Sequence, residues 1–341
     1  MAEPPADEVP LVDKVACLAA PETHPERPER VEVRETHMSL VFLTDRFAYK
    51  LKKPVRHPLV DLRPLAARRR NCLTEIGLNR RLAPDVYLGL RPLTFTPGRG
   101  LRLADDGWPV EWLVAMRRLP EPLMLDQVLR QGGPEPRDLE RVARRLARFY
   151  GSLPPAPSSP DERRDRLEAE IGRSREALAR PAFGRDQARI DRVAGRLIDH
   201  LRAHPELMTE RHRAGRIVEG HGDLRPEHIG LEQRPVVIDC LEFSRALREV
   251  DPADELAFLA LECAMLGDAE AGARLQRRYE AASGDRPPER LLAWYGSYRA
   301  LLRARLSALH SLEPGARPAA AWLAQAERYL EAALDYGELL A

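Results

Sequence analysis

Residues 219–254 read EGHGDLRPEHIGLEQRPVVIDCLEFSRALREVDPAD, and the architecture of the chain turns on them. Asp223 stands in a short loop, after the flexible Gly222 and before Pro226, a setting in which reactive carboxylates are commonly mounted. Val236-Val237-Ile238 is an apolar strand that delivers Asp239 at its end. Pro235 opens that strand, and Ile229-Gly230-Leu231 is expected to pair with it across a tight turn. Such a hairpin would bring Asp223 and Asp239 close together. Two convergent carboxylates suit phosphoryl transfer: one orients or accepts the proton of an attacking hydroxyl, and the other binds Mg²⁺, a hard cation that prefers oxygen ligands. His221 reads as a brace that fixes the Asp223 loop. Asp254, just before an apolar helix, reads as its cap.

Working outward, residues from Pro120 onward are almost entirely helical apart from this stretch. Apolar spacing places helices at 123–131, 138–153, 160–179, 185–204, 254–266, 269–283, 290–309 and 319–339. Upstream, residues 40–53 read as a β-hairpin turning at Thr44-Asp45-Arg46. A helix is expected at 65–82, and strands at 86–96 and 110–119. Residues 36–119 therefore form a small sheet crossed by one long helix. The domains expected are a polar, Pro-rich leader (1–30), too polar to pack well although 11–20 suits a short helix, an N-terminal lobe (31–120) and a helical C-terminal lobe (121–341). A cleft between lobes is the default ligand site.

Composition narrows the classes. The 341 residues are 44% apolar and 31% charged, as in a globular protein with a sizeable core. Lys plus Arg number 54 against 53 for Asp plus Glu, a formal charge of +1 that gives no footing to a nucleic-acid binder. Lysine is scarce, so Lys50 and Lys52, on one strand face, stand out. No apolar run is long enough to span a membrane, and the N-terminus lacks the pattern of a secretory signal. Cys17, Cys72, Cys240 and Cys263 form no C-x-x-C pair and read as small apolar residues in a reducing compartment, the cytoplasm.

In its ordered motifs the chain resembles the aminoglycoside phosphotransferase-like, kinase-fold enzymes, and within them an uncharacterised bacterial branch sometimes fused to a small P-loop kinase domain. The motifs are His221-Gly222-Asp223-Leu224, Ile238-Asp239-Cys240-Leu241-Glu242-Phe243, Asp251 with Asp254 to Leu259, Glu35 to Ser39, Ala48 to Pro54 and Leu78 to Pro84. They cover about residues 30–265. No G-x-x-x-x-G-K-[ST] occurs, so the fused P-loop domain is expected to be absent here. The resemblance implies an α+β, bilobal protein-kinase-like fold and an ATP-dependent phosphotransferase, with GTP left open, acting on a hydroxyl of an unidentified small molecule.

Residue by residue, the resemblance makes Asp223 the catalytic aspartate and Asp239 the metal ligand. Lys50 contacts nucleotide phosphates, Glu75 is its helix partner, and Lys52 is a rival. Met116 to Leu119 become the hinge whose backbone meets adenine. The family places Asn five residues after the catalytic Asp, where this chain has His228, a softer ligand that points to a single metal, to Mn²⁺, or to lost catalysis. Arg225 replaces a frequent His and favours an anionic group, and a Gly-rich loop is missing near 36–47. Glu242 reads equally as an acid near the metal or as a cap. Two alternatives stand beside the enzyme: a nucleotide-binding pseudokinase, and a metal-dependent hydrolase using His221, Asp223, His228 and Asp239. Neither a nucleic-acid nor a membrane partner is expected.

Overall fold

The computed structural model describes residues 9–313 and 317–340. The chain divides into two compact units. One comprises the chain up to Met124 together with His228–Ala246, and the other Leu125–Glu227 together with the chain from Leu247 onward.

The first unit is built on an antiparallel sheet. Helix α1 (Leu11–Ala19) leads into strands β1 (Glu32–Glu35), β2 (Ser39–Leu43) and β3 (Phe47–Lys52). A small hairpin, β4 (Arg56–His57) and β5 (Val60–Asp61), precedes helix α2 (Leu65–Asn79), and β6 (Tyr87–Thr96), β7 (Gly100–Leu103) and β8 (Trp108–Arg117) follow. Six strands align in the order β1-β2-β3-β8-β6-β7. Alternation along β3 sorts its side chains. Tyr49 and Leu51 join Leu18, Phe42, Leu93 and Leu113 in one cluster under α1, and Ala48 joins Cys72 and Ile76 of α2 in a second. Both sheet faces are thus covered by helices.

Within the expected leader, the short helix foreseen at 11–20 is present as α1 and packs on the sheet. Leu11, Val15 and Leu18 form an apolar stripe against the sheet, and Lys14 is buried 3.0 Å from Glu111 of β8, which also pairs with buried Arg68 of α2 at 2.8 Å. A buried carboxylate holding two cations ties both helices to the same strand.

The second unit is helical: α3 (Leu125–Arg130), α4 (Pro136–Gly151), α5 (Pro160–Leu178), α6 (Gln187–Ala203) and α7 (Pro205–Arg213) precede strand β9 (Val218–Glu219). The chain then enters the first unit with β10 (Ile229–Gly230) and β11 (Val236–Val237), and continues through α8 (Arg245–Arg248), β12 (Glu249–Val250), α9 (Pro252–Met265), α10 (Ala269–Ser283), α11 (Glu289–His310) and α12 (Ala319–Glu338). The expected helices are present to within two residues at most ends. Two were not expected, α7 and the single-turn α8; the helix expected before α7 ends at His204, and Pro205 comes next. Here it occupies the first position of a new helix, where its missing N–H costs nothing. Helix α5 opens on a capping box between Ser159 and Glu162. The core gathers α5, α6, α9, α11 and α12 around Trp294, Tyr295, Leu301 and Tyr329, so the Arg-studded helix at 290–309 is a core helix. No described helix is long and apolar enough to cross a membrane.

Candidate active site

Strand β3 and helix α2 set up a chain of alternating charges in the first unit. Lys50 Nζ lies 2.9 Å from Glu75 Oε1 and 2.6 Å from Asp239 Oδ1. Lys52 Nζ lies 2.5 Å from Glu75 Oε2 and 2.5 Å from Glu242 Oε1. Glu75, fully buried, therefore serves both lysines. Neither lysine is a solvated residue on an exposed strand face: a one-residue gap on a strand aims both at α2 rather than at water. Burial on its own would push the Lys50 ammonium's pKa down, but the carboxylates of Asp239 and Glu75 outweigh it and hold it well above the usual lysine value. Burial would likewise raise Glu75, yet Lys50 and Lys52 keep its pKa below the usual 4.5.

Asp239 is delivered by the expected hairpin, in which Ile229 faces Val237 and Gly230 faces Val236. Its backbone is left-handed, with φ of 62°, a conformation rare for a side-chain-bearing residue and held only where surroundings enforce it. Two tethers do so: the Asp239 amide donates to the Tyr87 hydroxyl at 3.1 Å, and the Cys240 amide donates to Asn79 Oδ1 at 2.9 Å. The Asp239 side chain is 43% exposed. Burial of its surroundings would raise its pKa, but Lys50, then His228, hold the carboxyl far below the carboxylate range. His228 Nε2 lies 3.6 Å from Asp239 Oδ2, so both residues assigned to metal binding are neighbours. Met116 sits inside β8, opposite Ala48 on one side and Tyr87 on the other, and its side chain is buried.

Asp223 belongs to the second unit, in the loop after β9. Its amide donates to His221 Nδ1 at 3.3 Å, the brace expected of that histidine. Below the loop, the buried Glu255 of α9 accepts from the amides of His221 (2.9 Å) and Gly222 (2.6 Å) and from the Tyr150 hydroxyl (2.8 Å). Burial raises the Glu255 pKa, and these donors offset it only in part. Arg225 Nε lies 3.3 Å from Asp223 Oδ2, and its Nη1 lies 3.0 Å from Glu227 Oε1. Helix α9 is anchored in turn. Its N-cap is Asp251, which accepts from the Ala253 amide. That corrects the assignment of the cap to Asp254, because Pro252 starts the helix two residues earlier. Asp251 also pairs with Arg211, and Asp254 pairs bidentately with buried Arg299 at 2.6 and 2.8 Å.

The structure thus groups Lys50, Lys52, Glu75, His228 and Asp239 in one unit and places Asp223 in the other. Tyr87, Asn79 and Glu255 are site residues that the sequence did not single out. Asn79 lies in a quoted motif, and Glu255 adjoins the Asp254 that drew attention as a cap. Tyr87, inside an apolar strand, carried no signal. Glu242 is resolved as an ion-pair partner of Lys52. Among the described residues no group of three or more His, Cys, Asp and Glu side chains is placed to hold a metal ion.

Comparisons with known proteins agree with this architecture. Two solved structures cover nearly the whole chain. A choline/ethanolamine kinase family protein from Mesorhizobium loti matches 96% of this chain and 99% of its own, with a TM-score of 0.53 at 16% identity. A choline kinase from Cryptosporidium parvum matches 96% of each chain, with a TM-score of 0.54 at 10% identity. At such identities the likeness is one of fold: the chain has the α+β kinase-like fold, with an N-terminal sheet and a helical C-terminal part. Uncharacterised proteins of Mycobacterium bovis and Mycobacterium tuberculosis are 33% identical over 298 residues, 84% of this chain. The chain spans about half their length, 56%. The signature of the phosphotransferase enzyme family (APH) matches residues 104–295, more than half of the sequence. With the Asp223 loop and the Lys50–Glu75–Asp239 cluster in place on this fold, the chain belongs to the phosphotransferase enzyme family.

Proposed function

We propose that this chain transfers the terminal phosphoryl group of ATP to a hydroxyl group of a small molecule, in the cytoplasm. The observation that carries the reading is the Lys50–Glu75–Asp239 cluster, in which a half-exposed carboxylate and an ammonium are held ready on rigid elements. Lys50 binds phosphate oxygens while Glu75 fixes its direction. Adenine meets the Met116 to Leu119 segment. The amides of Arg117 and Arg118 already donate to Val86 and Arg46, which makes Leu119 the candidate donor there. Asp223 orients the acceptor hydroxyl and takes its proton as the oxygen bonds to phosphorus and the bond to ADP breaks.

Asp239 suits a hard divalent cation: its side chain is partly exposed, and Lys50 keeps it ionised. His228 and Asp239 would hold Mg²⁺ or Mn²⁺, which when bound neutralises charge on the phosphate oxygens. A second reading, a nucleotide-binding pseudokinase, draws on the His228 imidazole beside Asp239, because imidazole is a poor ligand for Mg²⁺.

The reading covers the part shared with the mycobacterial relatives. ATP and GTP titrations with Mg²⁺ or Mn²⁺, followed by an ATP-consumption screen over sugars, aminoglycosides and other hydroxylated metabolites, test it. Asp223→Asn should abolish turnover while nucleotide binding persists, and Asp239→Asn should weaken metal-dependent nucleotide binding. If neither substitution alters either readout, the site is wrongly placed. Metal-independent binding with no consumption of ATP by any acceptor would select the pseudokinase.

A further inference from the structure

The chain has four lysines against fifty arginines, and two of the four stand on one face of β3. Their contacts form a closed circuit: Asp239 to Lys50, Lys50 to Glu75, Glu75 to Lys52, and Lys52 to Glu242. Its two ends, Asp239 and Glu242, are three residues apart in one segment. The lysines differ in exposure. Lys50 is 13% exposed beside a half-exposed Asp239, whereas Lys52 is 1% exposed between carboxylates that are 0% and 9% exposed. A ligand arriving from solvent meets Asp239 and Lys50, and Lys52 lies behind them.

We propose that Lys52 is a positioning residue: with Glu242 it anchors the segment after Asp239 to Glu75 of α2, so that the segment keeps its place when Lys50 turns to a nucleotide phosphate. The role given to Lys50 rests on the function proposed above; the anchoring itself does not. Once Lys50 divides its donors between Glu75 and phosphate, the buried Glu75 keeps less of that ammonium, a costly loss, and Lys52 supplies the rest of its counter-charge. Asp239 holds a left-handed backbone, which persists only under restraint. Tyr87 holds the Asp239 amide and Asn79 the Cys240 amide, one on either side of the strained residue, through neutral hydrogen bonds, and Lys52 restrains the segment beyond them through charge on Glu242. The residue type fits the task. An ammonium offers three tetrahedral donors to carboxylates on different sides, whereas a guanidinium fork favours a single coplanar partner.

The test compares Lys50→Met, Lys52→Met and Glu242→Gln with the wild-type chain. Amide hydrogen exchange over residues 240–246 without ligand reads the anchor directly. Lys52→Met and Glu242→Gln should speed exchange about 10-fold, and Lys50→Met should leave it within about twofold. Titration with ATP in EDTA reads phosphate binding, which Lys50→Met should weaken about 10-fold and Lys52→Met leave within about twofold, while the Mg²⁺ needed for half-maximal tightening rises in Lys52→Met. If the wild-type chain binds no nucleotide, the proposed function fails, and the exchange data still judge the anchor. Exchange unchanged in Lys52→Met, or accelerated equally in Lys50→Met, overturns it. Should Lys52→Met not fold, Glu242→Gln, which keeps an acceptor oxygen and removes the charge, decides in its place.

Discussion

Removing the carboxylate of Glu255 should loosen the Asp223 loop, and the size of the effect follows from what that side chain holds. Oε2 accepts from the His221 amide and the Tyr150 hydroxyl, and Oε1 accepts from the Gly222 amide. In Glu255→Gln the amide oxygen keeps the first pair, while its NH₂ group faces the Gly222 N–H donor to donor. One buried bond is lost and one donor orphaned, a cost of about 1–3 kcal/mol. Glu255→Ala orphans both loop amides and should cost about 2–6 kcal/mol, a large share of a typical domain's stability. Urea unfolding measures both. The pH profile supplies a signature. A carboxyl whose pKa is raised in the folded state binds protons more readily there than in the unfolded chain. Its ionisation therefore erodes stability as pH rises from its usual 4.5 through the raised value. That downward slope should vanish in Glu255→Gln. Turnover should fall as well, by up to about 100-fold, because Asp223 follows Gly222 directly. A Gln variant as stable as the wild type, with the slope intact and loop amides equally protected from exchange, would refute the clamp.

Gly220→Ala should disturb the same clamp from the other side, since a Cβ there would lie 2.5 Å from Glu255 Oε2 and 2.6 Å from Val250 Cγ2; thermal unfolding should report a loss of about 1–3 kcal/mol. The lowered pKa values of Glu75 and Asp239 act opposite to Glu255: their stabilisation is present above the usual 4.5 and 3.8 and is lost as pH falls below them. Acid unfolding of Lys50→Met should show a shallower loss in that range. At Asp239 itself, Gly should be more stable than Ala by about 1 kcal/mol in urea titrations, because the left-handed backbone penalises a Cβ. Arg299→Ala leaves the buried Asp254 without its bidentate partner and should cost about 3–5 kcal/mol in the same assay.

Most of the fold was legible because its signals are local. Periodic apolar residues, Pro breaks and the hairpin turn at Thr44-Asp45-Arg46 each report on neighbours in sequence, and α10 appears over the very residues expected. What escaped depends on distant partners. Helix α1 was legible as a short helix, but its packing was not, because buried Lys14 needs Glu111, 97 residues away. Glu255 looks like any helical acid until the chain folds His221 and Gly222 over it, and the pairing of Lys52 with Glu242 spans 190 positions. The pair Lys50 and Glu75 was legible through family resemblance, but the sharing of Glu75 between two lysines was not, because strand alternation fixes a face and not a partner.

The chain's return to the sheet unit at His228–Ala246 has a consequence for how such proteins can be cut, shuffled or inherited. A fragment ending at Met124 would carry Lys50 and Lys52 but neither Asp239 nor Glu242, so it would expose a half-neutralised core. Nor would joining the N-terminal part of one homologue to the remainder of another be a clean exchange, since its ion circuit would close on a foreign segment. Evolutionary or engineered exchange of the sheet unit therefore has to move two separated stretches together. That makes residues 228–246, nineteen positions by their bounds, the smallest passenger that any such transplant must take along.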